Sequence, residues 1–212
     1  MTHVRPAFLA AAEFAVCLLG DHAVASRWDQ PSALAEMTVG ALAGHLARQV
    51  FNVQRVLALP QGTEPPISLF EHYARAAWVD AGLQDEPNAV IRRESASEAA
   101  QGPAALTATA AAALRELREQ LPACPADLVV VLPWGPWSLT LDDMLVTRIM
   151  EIAVHGDDLA CSVGLPDIEL PPQPAEMAAG LLVTLAMRRH GQARVLRALS
   201  RAERAPLSIT AF

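Results

Sequence analysis

The sequence lacks the features of a membrane-spanning or nucleic-acid-binding protein. None of its apolar runs approaches the roughly 18–20 residues that a membrane-spanning helix requires. It has 16 lysine and arginine residues against 23 aspartate and glutamate residues, which gives a net charge of −7, and no block of basic residues stands out. Nucleic acid and anionic membrane surfaces are therefore poor candidate partners.

Cysteine is scarce in the sequence. The three cysteines, Cys17, Cys124 and Cys161, are far apart and form no C-x-x-C pair. This argues against a zinc knuckle or a disulfide framework and fits a reducing compartment.

The apolar segment 6–20 resembles a secretory signal, but Glu13 lies in its middle. We therefore predict a first helix here and a cytoplasmic protein.

The composition favours a helical globular fold. Aromatic residues make up only 5% of the chain, whereas alanine and leucine dominate long segments. Helical periodicity predicts four main helices, at 5–25, from the N-cap Thr38 to Pro60, at 103–121, and from Thr140 or Asp142 to about Ser162. Shorter helices are predicted at 67–82, 88–100, 175–189 and 192–199.

A break in the helical pattern precedes the fourth main helix. Two β-prone runs, 128–132 and 137–141, flank a Pro-Trp-Gly-Pro turn and predict a small hairpin. The sequence thus predicts an all-α four-helix bundle with this hairpin and additional C-terminal helices. We predict that residues 1–165 form the bundle and that residues 166–212 form a short helical extension packing on it. A stiff linker from Pro166 to Pro174 would separate the two.

A polar stripe runs along the predicted fourth main helix. Arg148, Glu151, His155 and Asp158 are spaced i, i+3, i+7 and i+10, which places them on one helix face. Nearly every other residue between 145 and 160 is apolar. Glu151 and His155 lie one turn apart and could share a metal ion. The alternative is a solvent-facing stripe, and the choice depends on a third ligand.

His45 is the candidate third ligand. It lies in the middle of the predicted second main helix, close to Gly40 and Gly44. Glycine weakens a helix interior by about 1 kcal/mol relative to alanine, so two glycines here predict the close approach of a neighbouring helix or of a ligand. Alternatively, His45 is a core histidine with satisfied hydrogen bonds. Among the other histidines, His72 is predicted to lie on the surface or in a cleft.

Two motifs resemble those of a known family. The segment Thr38-Val-Gly-Ala-Leu-Ala-Gly-His45-Leu-Ala resembles the second-helix signature of the DinB-like metal-binding bundles. The segment Glu151-Ile-Ala-Val-His155-Gly-Asp-Asp158-Leu-Ala-Cys-Ser-Val-Gly-Leu-Pro166 resembles their fourth-helix signature. Because broader DinB-like proteins often use three histidines, the glutamate resembles more narrowly the mycothiol-dependent maleylpyruvate isomerase N-terminal domain family. The resemblance spans roughly residues 5–165.

The resemblance implies a DinB-like bundle with a metal site formed by His45, Glu151 and His155. Three protein ligands and an open position describe a catalytic rather than a closed structural zinc site. Zinc is the expected metal, and nickel or iron would also fit two histidines and a carboxylate. Asp158 and Arg148 are predicted to orient His155 and Glu151. The alternative for both is an exposed ion pair that contributes little.

The resemblance further implies chemistry on a low-molecular-weight thiol, with mycothiol the suspected cosubstrate. In the family's isomerase the thiol adds to a cis double bond, the resulting single bond rotates, and elimination gives the trans product. Related bundles instead transfer the thiol to electrophiles. The isomerase also has a separate C-terminal domain that contributes to catalysis, whereas residues 166–212 here predict only helices.

We therefore predict a metal-dependent thiol transferase or isomerase acting on a small electrophilic substrate. Its partners would be small molecules rather than nucleic acid or membrane, and a homodimer is compatible with the sequence. Two alternatives stay open. One is a non-catalytic bundle that binds a metal or small molecule as a sensor or carrier, and the other is a structural helical dimer in which the stripe is surface.

Overall fold

The computed structural model describes residues 3–79, 81–165 and 168–212. The four long helices are α1 (Val4–Leu19), α3 (Val39–Ala58), α6 (Pro103–Ala123) and α7 (Leu141–Val163). Between and after them lie α2 (His22–Ser26), α4 (Leu69–Arg75), α5 (Glu86–Glu98), α8 (Pro172–His190), α9 (Gln192–Ser200) and a 3₁₀ turn, Ala202–Arg204. An antiparallel hairpin pairs β1 (Val129–Val131) with β2 (Ser138–Thr140). The predicted all-α bundle with a hairpin before its fourth long helix is confirmed.

The four long helices enclose one hydrophobic core. Helix α1 packs against α6 and α7, and α3 packs against the same two helices, so that α1 and α3 face each other across the core. Each helix contributes an apolar stripe, and the alanines of α1 at 7, 11 and 15 are fully buried. Helix α5 packs on α3, and α8 packs on α7. The division of the chain near residue 165 stays a prediction.

Two threonine caps fix where the site-bearing helices begin. The Thr38 hydroxyl accepts a hydrogen bond of 3.1 Å from the backbone N–H of Ala41 and starts α3. The Thr140 hydroxyl accepts one of 3.1 Å from the backbone N–H of Asp143 and starts α7. Each cap satisfies a backbone donor that the first helical turn leaves without a partner. Of the two caps predicted for α7, Thr140 is therefore the one used.

Gly40 and Gly44 let other parts of the chain approach α3 closely. A Cβ atom at Gly40 would lie 2.7 Å from the indole of Trp28. A Cβ atom at Gly44 would overlap the backbone carbonyl oxygen of Ser95 in α5. Of the two explanations for these glycines, a neighbouring element rather than a ligand is correct. The contact at Gly44 also brings α5 beside His45.

Three predicted boundaries were wrong. The first predicted helix is two helices, because the Asp21 side chain accepts from the backbone N–H of Ala23 and starts α2 separately. The helix predicted at 67–82 ends at Arg75, and Trp78 packs edge-on to Tyr73 after a turn. Helix α8 begins at Pro172, since proline suits a first helical turn. The predicted start of the linker, Pro166, lies outside the described residues.

No helix in the described ranges is long and apolar enough to cross a membrane.

Candidate metal centre

Helices α3 and α7 bring three predicted ligands together. His45 lies in the second turn of α3, and Glu151 and His155 lie one turn apart on α7. The Glu151 Oε2 atom is 3.6 Å from His45 Nε2 and 3.2 Å from His155 Nε2. One potential ligand atom from each residue lies within 4.8 Å of the others. Among the described residues these three form the one such group of histidine, cysteine and acidic side chains.

The three side chains are shielded from solvent. Those of His45 and Glu151 are each 13% exposed, and that of His155 is 18% exposed. The stripe is therefore not a solvent-facing surface at these positions. The imidazole rings of His45 and His155 meet edge to face, with their centroids 4.5 Å apart. Carboxylates and imidazoles are seldom this buried without partners or a bound ion.

Burial and mutual contact set the charges of the group. Burial alone would raise the pKa of Glu151, but hydrogen bonds with His155 and His45 hold that pKa well below its ordinary value. Burial lowers the pKa of His45, and the neighbouring charge of His155 lowers it further. Burial would also lower the pKa of His155, but Asp158 and Glu151 outweigh it and raise that pKa to about 9. Without a metal, neutral pH leaves Glu151 anionic, His45 neutral and His155 protonated.

Ser95 of α5 fixes the tautomer of His45. The Ser95 hydroxyl donates its proton to the carbonyl oxygen of Ile91 at 2.7 Å, and its oxygen lies 3.1 Å from His45 Nδ1. Because that hydroxyl proton is already used, Ser95 must accept from an Nδ1–H. Nε2 is therefore the atom of His45 that could bind a metal. Ser95 was not among the site residues predicted from the sequence.

Asp158 does the same for His155 from the next turn of α7. Its Oδ2 atom is 3.0 Å from His155 Nδ1. The carboxylate can only accept, so Nδ1 carries a proton and Nε2 is the atom left to bind a metal once His155 is neutral. The i, i+3 spacing predicts this contact between Asp158 and His155. That Asp158 orients His155 for metal binding stays a prediction.

Arg148 contacts partners other than Glu151, the residue that it was predicted to orient. Its Nη1 atom donates to Gln49 Oε1 at 2.5 Å and its Nε atom to Thr147 Oγ1 at 3.0 Å. The ring of Trp134 lies over its guanidinium, 5.4 Å from centroid to Cζ. No ion pair between Arg148 and Glu151 occurs within the described residues. Its positive charge nevertheless helps to lower the pKa of Glu151.

Aromatic side chains from α4 and the hairpin pack against one another. Trp137 Nε1 donates to His72 Nδ1 at 3.0 Å, which ties the hairpin turn to α4. His72 is only 4% exposed, so the predicted surface position is wrong and the ring is buried. Burial, and then the charge of Arg148, lower the pKa of His72 to about 4, so it is neutral at physiological pH. Tyr73, next to it, is 5% exposed.

The donor set fits a divalent metal. Two imidazoles, each with Nδ1 held by an oxygen, place their Nε2 atoms less than 4 Å from one carboxylate oxygen. Such an N₂O set, with the remaining positions open, is that of catalytic zinc and also suits iron or nickel. His45, Glu151 and His155 are thus the residues that could hold a metal. Their role as ligands stays a prediction.

The Asp158→Asn variant should weaken zinc binding about 10–100-fold, because the amide no longer supports the basicity and orientation of His155. The adjacent Asp157 is exposed and serves as the matched control. Competition with a fluorescent zinc chelator would measure both affinities. Asp157→Asn should stay within about twofold of the wild type. Equal affinities in both variants would remove Asp158 from the site.

A comparison with protein families gives one match. The model described as mycothiol maleylpyruvate isomerase N-terminal domain matches residues 9–160. This span exceeds two thirds of the chain and includes His45, Glu151 and His155. No curated protein and no solved structure gives a significant match.

Proposed function

The chain belongs to the mycothiol maleylpyruvate isomerase N-terminal domain family, and from that premise we propose that it is a metal-dependent enzyme using a low-molecular-weight thiol. Mycothiol is the thiol we expect. The substrate would be a small electrophile, to which the sulfur is either transferred or added reversibly during cis–trans isomerisation.

One observation carries this proposal. His45, Glu151 and His155 converge from two helices, with the Nε2 atoms of both imidazoles beside the same carboxylate oxygen. These residues would hold a divalent metal, with zinc expected and nickel or iron also compatible. A metal bound there would favour the thiolate form of a bound thiol at neutral pH, which is the nucleophilic form.

The protein's own residues would prepare the site for this chemistry. Ser95 and Asp158 hold the two imidazoles in the tautomer that leaves Nε2 free. The low exposure of the three side chains limits the access of water, which strengthens every charge interaction within the site. Both reactions begin with formation of a carbon–sulfur bond. They differ in whether that bond persists in the product or breaks after rotation about the former double bond.

The test combines metal analysis with a thiol assay on the full chain. We expect about one metal per chain, and turnover of a fluorogenic electrophile that requires both the metal and a thiol. Mycothiol should support it better than cysteine or glutathione. His45→Ala should lose both metal and turnover, because one of three ligands is gone. His22→Ala, which removes an exposed histidine of α2, should lose neither.

The other outcomes discriminate between the alternatives. Bound metal without turnover for any thiol would favour a non-catalytic sensor or carrier. Failure to bind zinc, nickel or iron after reconstitution would refute the three-ligand site and the enzyme proposal with it. Product analysis with a cis-configured substrate separates transfer from isomerisation, because only isomerisation returns the thiol.

A further inference from the structure

The hydroxyl of Tyr73 is a buried polar group that the fold leaves without a partner. Tyr73 is 5% exposed, and its hydroxyl oxygen is fully buried with no hydrogen-bond partner among the described residues. Such groups are rare in folded proteins, because the hydrogen bond that the hydroxyl loses to water is not replaced. A buried donor of this kind is available to a ligand.

Tyr73 lies on α4, which packs against α7, the helix that carries Glu151 and His155. One side of its ring is covered by Trp78 and Phe212, whose ring centroids lie 6.4 and 5.8 Å away. The charges of Glu151 and Arg148 both act on its hydroxyl. Burial and the charge of Glu151 raise the pKa of Tyr73, so the hydroxyl keeps its proton and can donate it in a hydrogen bond.

Arg148 is a buried cation with neutral partners. It is 8% exposed, and its described hydrogen bonds go to the Gln49 amide and the Thr147 hydroxyl. No described residue accepts from its Nη2 atom, and it takes part in none of the ion pairs among the described residues. A buried guanidinium is normally matched by an anion, since its desolvation is costly. An anionic group of a ligand would supply that match.

His72, whose ring meets that of Tyr73 edge to face with centroids 5.1 Å apart, adds a third donor. Its Nδ1 atom accepts from Trp137 Nε1, so the neutral ring carries its proton on Nε2. His72, Tyr73 and Arg148 therefore each offer an N–H or O–H donor. The nearby carboxylate, Glu151, is already engaged by two imidazoles. Donors without acceptors are complementary to an oxygen atom that carries negative charge.

We propose that the Tyr73 hydroxyl is a catalytic residue that donates a hydrogen bond to a substrate oxygen on which negative charge develops, with Arg148 supplying the adjacent positive charge. The inference rests on the proposed function. When a thiolate sulfur forms a bond to the β-carbon of a double bond conjugated to a carbonyl, the π electrons move to the carbonyl oxygen. Tyr73 stabilises that oxygen and keeps its proton. When the sulfur leaves, the electrons return to the double bond, and nothing is oxidised or reduced.

This role makes the effect of losing Tyr73 depend on the class of electrophile. Electrophiles with a carbonyl conjugated to the reacting double bond develop an oxygen anion as the sulfur adds. Alkyl halides develop charge on a departing halide instead. Loss of the Tyr73 hydroxyl should therefore slow turnover of the first class about 100-fold, the usual loss for one such donor. Turnover of an alkyl halide should change by less than about threefold.

Tyr73→Phe tests the proposal without depending on turnover. In ligand-free protein its Tm should rise by about 2–4 °C, because a buried hydroxyl without a partner is removed. Its zinc content should equal that of the wild type. The binding probes are acetate and acetamide, which have the same shape and differ in charge. NMR titration of metal-free protein, followed at the indole N–H signals, should show wild type preferring acetate by about tenfold or more. Tyr73→Phe should lose most of that preference.

Each result bears on the proposal separately from the enzyme assignment. The Tm and the acetate titration need no metal. A protein that binds no zinc would therefore refute the proposed function, whereas these two measurements would still test the role of Tyr73. A lower Tm together with unchanged acetate binding would identify Tyr73 as a packing residue and overturn the proposal. Equal binding of acetate and acetamide by the wild type would overturn it as well.

Discussion

The Glu151→Gln variant is expected to fold normally and to bind zinc more than about 100-fold more weakly than the wild type. Glutamine matches glutamate in shape, so the packing between α3 and α7 should persist. Its neutral amide, however, is a poor metal ligand. The loss should exceed the roughly 10–100-fold cost of removing a partner that only supports a ligand. Thiol-dependent turnover should be abolished with it.

Thermal unfolding with and without zinc would measure the effect. A ligand present at about 100 times its Kd stabilises the native state by about 2.7 kcal/mol. For a chain of this size that corresponds to a Tm increase of several degrees. Wild type should show this increase and Glu151→Gln should not. Glu98→Gln, which removes a carboxylate of α5 that pairs with Arg55, is the control and should respond as the wild type does. A full zinc response in Glu151→Gln would exclude the carboxylate as a ligand.

The Gly44→Ala variant is expected to lose about 2–4 kcal/mol of unfolding free energy. The added methyl group would overlap the backbone carbonyl oxygen of Ser95, and backbone cannot move aside as a flexible side chain can. Overpacking of this kind typically costs 1–3 kcal/mol and occasionally more. Because α5 must move away from α3, the hydrogen bond between Ser95 and His45 should lengthen. Zinc affinity should fall together with stability.

Gly180 of α8 provides the matched control. It is exposed, and a Cβ atom there would meet nothing within 4 Å. Gly180→Ala should therefore raise the unfolding free energy by about 0.5–1 kcal/mol, the usual gain from replacing glycine within a helix. Urea unfolding measures both variants. If Gly44→Ala is as stable as the wild type, α5 does not pack on α3 as closely as described.

Local patterns were sufficient to predict the parts of the site that lie on single helices. Glu151, His155 and Asp158 lie within two turns, so helical geometry alone places them on one face. The caps are local as well: Thr38 was predicted, and Thr140 was one of the two caps predicted for α7. The juxtaposition of His45 with that face required the resemblance to a family, because nothing local joins two helices about a hundred residues apart.

The parts that were not predicted arise from contacts between elements. Ser95 meets His45 because Gly44 admits α5, and no sequence pattern relates these positions. Tyr73 was expected on a continuous helix at 67–82, whereas the helix ends at Arg75 and Tyr73 packs against Trp78 and Phe212 beyond it. The interaction of Arg148 with Gln49 was missed for the same reason. Spacing along α7 predicted that Arg148 would orient Glu151, whereas the packing of α3 brings the amide oxygen of Gln49 within hydrogen-bond distance of Arg148.

The tryptophans also give the protein an intrinsic fluorescent reporter. Of its four tryptophans, Trp134 lies over Arg148, Trp137 donates to His72, and Trp78 packs on Tyr73. The fourth, Trp28, packs against Gly40. Three of the four indoles thus contact Arg148, His72 or Tyr73, and two of them contact ionisable or charged groups that quench or shift emission. Changes at these residues will register in the ultraviolet fluorescence of the unlabelled chain.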